Sequence, residues 1–139
     1  MLNFVDHLKT SYEPLVKKVM DETYKVFNLK EDITVNVILV SDAQMKDLNM
    51  TFAQTDKTTD VLSFPSTLEE ELGDIFISID QAKKQAEALN HSIEREVAFL
   101  CVHGALHCLG FTHESEEELE TMIDHQESIL AAVGHPRSK

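Results

Sequence analysis

Residues 97–113 read VAFLCVHGALHCLGFTH, and this stretch decides the fold because it combines a long apolar segment with three histidines. The apolar segment predicts a helix that is buried in the centre of the domain. His103 and His107 are four residues apart, so a helix places them one turn apart on the same face. Gly110 can adopt the left-handed conformation that ends a helix, and a chain that turns back there brings His113 round to the other two histidines.

Three imidazoles that meet at one point are the donor set of a catalytic zinc site, because three protein ligands leave the fourth tetrahedral position open for water. The spacing His-x3-His-x5-His, with a glycine three residues after the second histidine, resembles the pattern HExxHxxGxxH of the metzincin proteases. There a glutamate general base follows the first histidine, whereas Gly104 stands at that position here. The sequence therefore predicts a metal centre that lacks the protease base. The alternative, histidines without a ligand role, leaves unexplained why an otherwise apolar helix carries two of them on one face.

Length and composition are those of one folded domain, residues 1–139. A chain of 139 residues with 42% hydrophobic residues has the size of a single core. No apolar run is long enough to cross a bilayer and no secretory signal is visible, so we expect no membrane partner. Cys101 and Cys108 are seven residues apart on one predicted helix, roughly 10 Å and too far for a disulfide. The expected location is the reducing cytoplasm.

The formal net charge of −13 argues against a general electrostatic attraction to nucleic acid. There are 12 Lys and Arg residues against 25 Asp and Glu residues. The lysines are scattered and form no basic stripe, and acidic residues concentrate at positions 114–120. Any attraction to phosphate would therefore have to be local.

The spacing of apolar residues and of capping and turn residues predicts a mixture of helices and strands. Helices are predicted at residues 12–28, 41–49, 80–89 (begun by Ser78 or Asp80), 93–109 and 115–133, the last of them closed by Gly134 and Pro136. The inner face of that last helix is predicted to carry Leu119, Met122, Ile123, Gln126, Ile129, Leu130 and Val133. Strands are predicted at residues 33–40, 61–64 and 74–79, with a loop at 50–60 and an exposed acidic segment at 66–72. We therefore expect an α+β fold, in which a small mixed β-sheet packs with about five helices around a buried central helix carrying the metal site.

Three blocks of this sequence resemble the YbeY family of bacterial endoribonucleases. HGALHCLGFTH (103–113) is similar to the family signature HGxLHLxGYDH, LNMTFAQTDKTTDVLSFP (48–65) to LNxxYRxxDxxTDVLSFP, and LGDIFIS (72–78) to LGDIxIS. The resemblance implies a metal-dependent endoribonuclease that acts on single-stranded RNA, in maturation of the 16S ribosomal RNA 3′ end and in ribosome quality control. The implied partners are ribosomal RNA, the ribosome and ribosomal or assembly proteins.

For the site, we expect His103, His107 and His113 to bind one Zn²⁺ per chain, with a bound water rather than a side chain as the base. Four further residues are candidates to line a cleft beside the metal: Thr59, Asp60, Ser63 and Gly104. The first three could equally serve the turn and the start of a strand. For the glycine, close packing of its helix is the alternative, and packing is the commoner reason for a glycine inside a helix.

Two departures from the family pattern bear on catalysis. Ala53 replaces an arginine that the family is thought to use for substrate phosphate, and Phe111 and Thr112 replace a Tyr-Asp pair. Thr112 offers only a hydroxyl to a ligating histidine, and Asp74 is either an acceptor for such a histidine or a turn residue. These departures leave an alternative function, a ribosome-associated assembly factor in which the metal is structural and cleavage is weak or absent.

Overall fold

Four strands and five α-helices are found in residues 1–53 and 59–135, the part of the chain that the structure, a computed structural model, describes. In chain order they are β1 (Leu2–Asp6), α1 (Glu13–Val26), β2 (Thr34–Val40), α2 (Asp42–Leu48), β3 (Val61–Pro65), β4 (Glu71–Ser78), α3 (Ile79–Leu89), α4 (Ile93–Cys108) and α5 (Glu116–Ala132). The predicted α+β class is confirmed.

The four strands form one mixed sheet in the order β1-β2-β4-β3. Strands β1, β2 and β4 run parallel, and β3 pairs antiparallel with β4. Alternate residues of β2 point to opposite faces of the sheet, so Val35, Val37 and Leu39 are fully buried while Asn36 lies on the other face. The buried face of the sheet is covered by helices.

Helix α4 lies at the centre, as its apolar sequence predicts. It contacts α1, α3 and α5 as well as β3 and β4, and nine of its sixteen residues are buried. One of the nine is Glu96, whose carboxylate is 2.6 Å from Nε2 of His91. This pairing gives the buried carboxylate a hydrogen-bonding partner.

The predicted helix starts are confirmed by their hydrogen bonds. Ser41 and Gln44 form a complete capping box at α2. The hydroxyl groups of Ser78, Ser92 and Ser115 each accept a hydrogen bond from a backbone N–H in the first turn of α3, α4 and α5. Serine is favoured at this position because its oxygen satisfies an otherwise unpaired N–H group.

Several sequence expectations differ from the structure. Strand β1 was not predicted, because the alternation of apolar and polar residues over five positions is too short to distinguish a strand from a loop. Strand β4 begins at Glu71, so the segment 66–72 is not wholly exposed, and Leu72 is buried. In the predicted loop 50–60, residues 49–53 form a π-helical turn and residues 54–58 lie outside the described residues. Pro136 also lies outside them.

None of the helices in residues 1–53 and 59–135 has the length and apolar character that a bilayer-spanning segment requires.

Candidate metal centre

The C-terminal end of α4 places the three histidines. The helix closes with two backbone hydrogen bonds, from the N–H of Phe111 to the carbonyl of Leu106 and from the N–H of Gly110 to the carbonyl of His107, both 3.0 Å. This pattern requires a left-handed residue after the helix, and Gly110 has a φ of +98°. The chain therefore reverses as predicted and returns His113 towards the helix.

The three imidazole rings lie together at this reversal. The ring centroids are separated by 4.6 Å for His103 and His107, 5.6 Å for His107 and His113, and 6.4 Å for His103 and His113. Three imidazoles that bind one zinc ion tetrahedrally through Nε2 would have centroids about 5.2 Å apart. The structure thus brings the three predicted residues together at nearly the separation that a shared metal requires.

The pair His103 and His107 is already convergent, with their Nε2 atoms 3.0 Å apart. Within residues 1–53 and 59–135, however, no group of three or more His, Cys, Asp or Glu side chains is placed so that it could hold a metal ion as it stands. His113 would have to approach His103 by about 1 Å to complete the set. His113 follows the helix rather than belonging to it, so a small adjustment of its position leaves α4 intact.

The histidines of α4 are suited to bind a metal because their rings are neutral. Burial, with a smaller contribution from His107, lowers the pKa of His103 to about 4, although the charge of Asp60 acts in the opposite direction. Burial and the neighbouring His113 also lower the pKa of His107. A neutral imidazole has a free lone pair, so no proton has to be displaced before a metal binds.

Gln126 is a contact of the site that sequence reasoning missed. It lies on α5, is 5% exposed, and places its Nε2 atom 2.9 Å from Nδ1 of His103. The sequence placed Gln126 on the inner face of the last helix, and a polar residue on an apolar face was the signal that could have identified it.

Within residues 1–53 and 59–135, the two acceptors considered from sequence form their hydrogen bonds with partners other than histidine. The hydroxyl of Thr112 donates to the carboxylate of Glu118 at the start of α5. Asp74 lies within β4, not in a turn, and accepts a hydrogen bond of 2.8 Å from the side chain of Asn36 on β2.

Asp60 is a cleft candidate whose charge opposes the lowering of the pKa of His103. Its Oδ1 accepts from the backbone N–H of Val61 at 2.8 Å, and its Oδ2 accepts from Gln85 at 3.0 Å. Thr59 donates to the same carboxylate at 3.4 Å. Ser63 lies on β3, half-buried, on the same face as Val61.

Gly104 does not line a cleft. It is buried, and a Cβ atom at this position would lie 2.6 Å from Cγ2 of Ile75 and 3.4 Å from Cγ2 of Val61. The helix therefore approaches β3 and β4 too closely for any side chain. Packing accounts for this glycine, and it also accounts for the missing protease glutamate, which would have no space here.

A groove of about 630 Å³ opens beside the histidines, between α4 and α5. Its lining includes Phe99, His103, His113, Leu119, Ile123 and Gln126. Leu119 and Ile123, which the sequence placed on the inner face of α5, are 43% and 38% exposed because they form the rim of this groove. A larger concavity of about 850 Å³ lies between β1 and α1, and no histidine is among its lining residues.

Known proteins are similar to this chain in sequence and in architecture. The family profile of Endoribonuclease YbeY matches residues 3–134. A protein named Endoribonuclease YbeY from Acholeplasma laidlawii is 45% identical over 123 residues, which cover 87% of this chain and 85% of that protein. One of the same name from Caldicellulosiruptor bescii is 37% identical over 148 residues, covering 93% and 94% of the two chains. The solution structure of TM1509 from Thermotoga maritima is similar with a TM-score of 0.68 and 30% identity, covering 95% of this chain and 91% of that one. The chain therefore belongs to the endoribonuclease YbeY family.

Proposed function

We propose that this chain is a metal-dependent endoribonuclease that cleaves single-stranded RNA, and that His103, His107 and His113 hold one Zn²⁺ ion. The observation that carries the proposal is the convergence of three imidazoles at the end of α4 in a chain of the YbeY family. A zinc ion with three imidazole ligands supplies Lewis acidity, which activates water and stabilises negative charge on a phosphodiester.

The side chains around the histidines create the environment for this chemistry but supply no evident general base. Gly104 occupies the position where a metzincin has its glutamate. Asp60 is near His103, yet both of its carboxylate oxygens already accept hydrogen bonds, from Val61 and Gln85. These contacts fix the position of Asp60, and its charge acts on His103. We expect a modest rate, since a positioned acid or base contributes about 10²–10⁴-fold.

The groove between α4 and α5 is the proposed path of the RNA strand beyond the histidines. His103 and His113 open into it, and Phe99 stacks on His103 with an interplanar angle of 23° and a centroid separation of 5.9 Å. Apolar and aromatic surface of this kind suits unpaired bases, whose flat faces stack on aromatic rings regardless of sequence. An overall charge of −13 makes such stacking a more plausible source of affinity than phosphate contacts.

The substrate that we propose is ribosomal RNA, with maturation of the 16S 3′ end and ribosome quality control as the cellular roles and the cytoplasm as the location. Family membership and the curated relatives named Endoribonuclease YbeY support an RNA substrate. The ribosome, with its ribosomal or assembly proteins, is the proposed partner.

The test combines metal analysis with cleavage of an unstructured RNA oligonucleotide. We expect the wild-type protein to bind one equivalent of zinc and to cleave the RNA only when loaded. The triple variant His103→Ala, His107→Ala, His113→Ala should lose both properties, whereas the matched control His7→Ala, at an exposed histidine after β1, should keep both. Zinc binding by the triple variant at the wild-type level would refute the ligand assignment. Cleavage that survives in it would indicate a contaminating nuclease.

The second candidate function is a ribosome-associated assembly factor with a structural metal. The observation that favours it is Ala53, which leaves no cationic side chain where the family has its arginine, together with the net charge of −13. If zinc-loaded protein binds ribosomal subunits but cleaves neither an oligonucleotide nor precursor ribosomal RNA, this second function is the correct one.

A further inference from the structure

Gln126 is a buried polar side chain beside the histidines, and the proposed chemistry assigns it no role. It lies on α5 in a row of buried residues that includes Met122, Ile129 and Leu130. An amide on such a face is costly to bury unless its polar atoms are paired. Its partner is Nδ1 of His103, at 2.9 Å.

The tautomer of His103 determines what this contact can do. The Nε2 atom of His103 faces Nε2 of His107, so Nε2 is the atom directed at the proposed metal position. An imidazole that binds a metal through Nε2 carries its proton on Nδ1, and that N–H group requires an acceptor. The amide of Gln126 contains both a donor and an acceptor, so rotating it by about 180° exchanges one for the other.

We propose that Gln126 is a positioning residue for His103: it accepts the Nδ1 proton through Oε1 when a metal is bound and donates through Nε2 when none is bound. The inference rests on the proposed metal site. Gln126 is 5% exposed, so little water is available at its amide to replace it as a partner. In the metal-bound arrangement the side chain thereby stabilises one ring orientation and the tautomer with a free Nε2 lone pair.

Three variants separate this role from packing. Gln126→Leu keeps the volume and suits the apolar face of α5, so the metal-free protein is expected to unfold at or above the wild-type temperature. Gln126→Glu keeps an acceptor. The control Gln81→Leu removes a comparable amide on α3 that donates to Asp42 rather than to a histidine.

The first measurement is zinc affinity by competition with a chromophoric chelator. Loss of a side chain that supports a ligand typically weakens metal binding by about 10–100-fold, and we expect that loss for Gln126→Leu. Gln126→Glu should restore affinity to within several-fold of wild type, and Gln81→Leu should not change it. If Gln126→Leu binds zinc within twofold of wild type while wild type binds normally, the positioning role is wrong and the metal site stands. If wild type binds no zinc, both proposals fail.

The second measurement follows the His103 ring by ¹⁵N NMR, which a purely structural role of Gln126 would not affect. In the zinc-loaded wild type we expect Nδ1 to carry a proton that exchanges slowly with water. In folded, zinc-loaded Gln126→Leu we expect that proton to exchange fast enough to disappear, and in Gln126→Glu we expect it to return. Metal ligation through Nδ1 of His103, or an unchanged exchange rate in Gln126→Leu, would overturn the proposal.

Discussion

At the scale of single residues, the fold lowers the pKa values of the two α4 histidines, His103 and His107. His103 shows this most clearly, because burial opposes the charged imidazolium and the two neighbouring imidazoles would repel it. Its pKa of about 4 in the folded protein lies below the ordinary value of 6.5. The same burial that makes His103 a ready metal ligand therefore couples protonation to unfolding.

This coupling predicts a pH dependence of the stability of the metal-free protein. Between pH 6.5 and about 4 the unfolded chain binds a proton at His103 that the folded chain does not. The free energy of unfolding is therefore unaffected by this proton above pH 6.5, and it decreases as the pH falls from 6.5 towards 4. The lowered pKa of His107 acts with the same sign.

Urea unfolding at several pH values tests this effect when the wild type is compared with a variant that lacks His103. The free energy of unfolding should fall more steeply with decreasing pH for wild type than for His103→Gln. The exposed control His7→Gln should follow wild type. Parallel curves for wild type and His103→Gln would show that His103 is protonated to the same degree in both states.

At the scale of elements, the contact of α4 with the sheet sets the position of the histidines. Gly104 has no side chain between two ligand candidates, and its α-carbon faces Ile75 on β4. A glycine within a helix costs up to about 1 kcal/mol relative to alanine. The close approach explains why the helix contains one here.

Gly104→Ala is therefore expected to destabilise the protein despite the better helix propensity of alanine. The new methyl group would lie 2.6 Å from Cγ2 of a fully buried isoleucine, and overpacking of this kind costs about 1–3 kcal/mol. The free energy of unfolding, measured with urea, should fall by up to about 2 kcal/mol after the gain in helix propensity.

A double-mutant cycle with Ile75→Ala tests the cause. Ile75→Ala alone should cost about 2–5 kcal/mol because it leaves a cavity. If the clash is the reason for the effect of Gly104→Ala, the double variant should be more stable than the sum of the two single effects, because the methyl group would partly fill that cavity. If the two single effects are strictly additive, the cost of Gly104→Ala does not come from contact with Ile75.

At the scale of the whole molecule, the net charge of −13 repels RNA even when the RNA is still far from the histidines. Basic nucleic-acid-binding proteins gain affinity by releasing counterions from phosphates, and this makes their binding strongly dependent on salt. An acidic protein that binds bases mainly by stacking in a groove, here one whose described lining includes Phe99 and a single arginine, Arg95, should not behave in this way.

We therefore expect a shallow salt dependence of RNA binding and cleavage. Proteins with many phosphate contacts lose roughly a thousandfold or more in affinity between about 50 and 200 mM salt, and here we expect less than about a tenfold change. Replacing Glu120 and Asp124, both exposed on α5, with lysine should strengthen binding at low salt and steepen the dependence. A steep loss of affinity with salt in the wild type would instead indicate a phosphate-binding surface.

Much of this architecture could be read from local sequence. The capping residues Ser41, Ser78, Ser92 and Ser115 mark helix starts, since each satisfies an N–H group a few residues away in the chain. The spacing of His103, His107 and His113 around Gly110 predicted that the three rings would meet, because one helical turn and one reversal determine their geometry. Strand β1 and the exposed positions of Leu119 and Ile123 were not predicted, because neighbours distant in sequence determine them.

By itself, then, the sequence determined the α+β class, the buried central helix, the clustering of the three histidines and the family, since these depend on short-range periodicity and on blocks of contiguous residues. Only the tertiary structure decided that Gly104 serves packing, that Asp60 acts on His103, and that Gln126 contacts its second nitrogen. Each of these pairs joins residues on different elements. Their meeting depends on how helix, sheet and helix pack together, which no local pattern in the chain specifies.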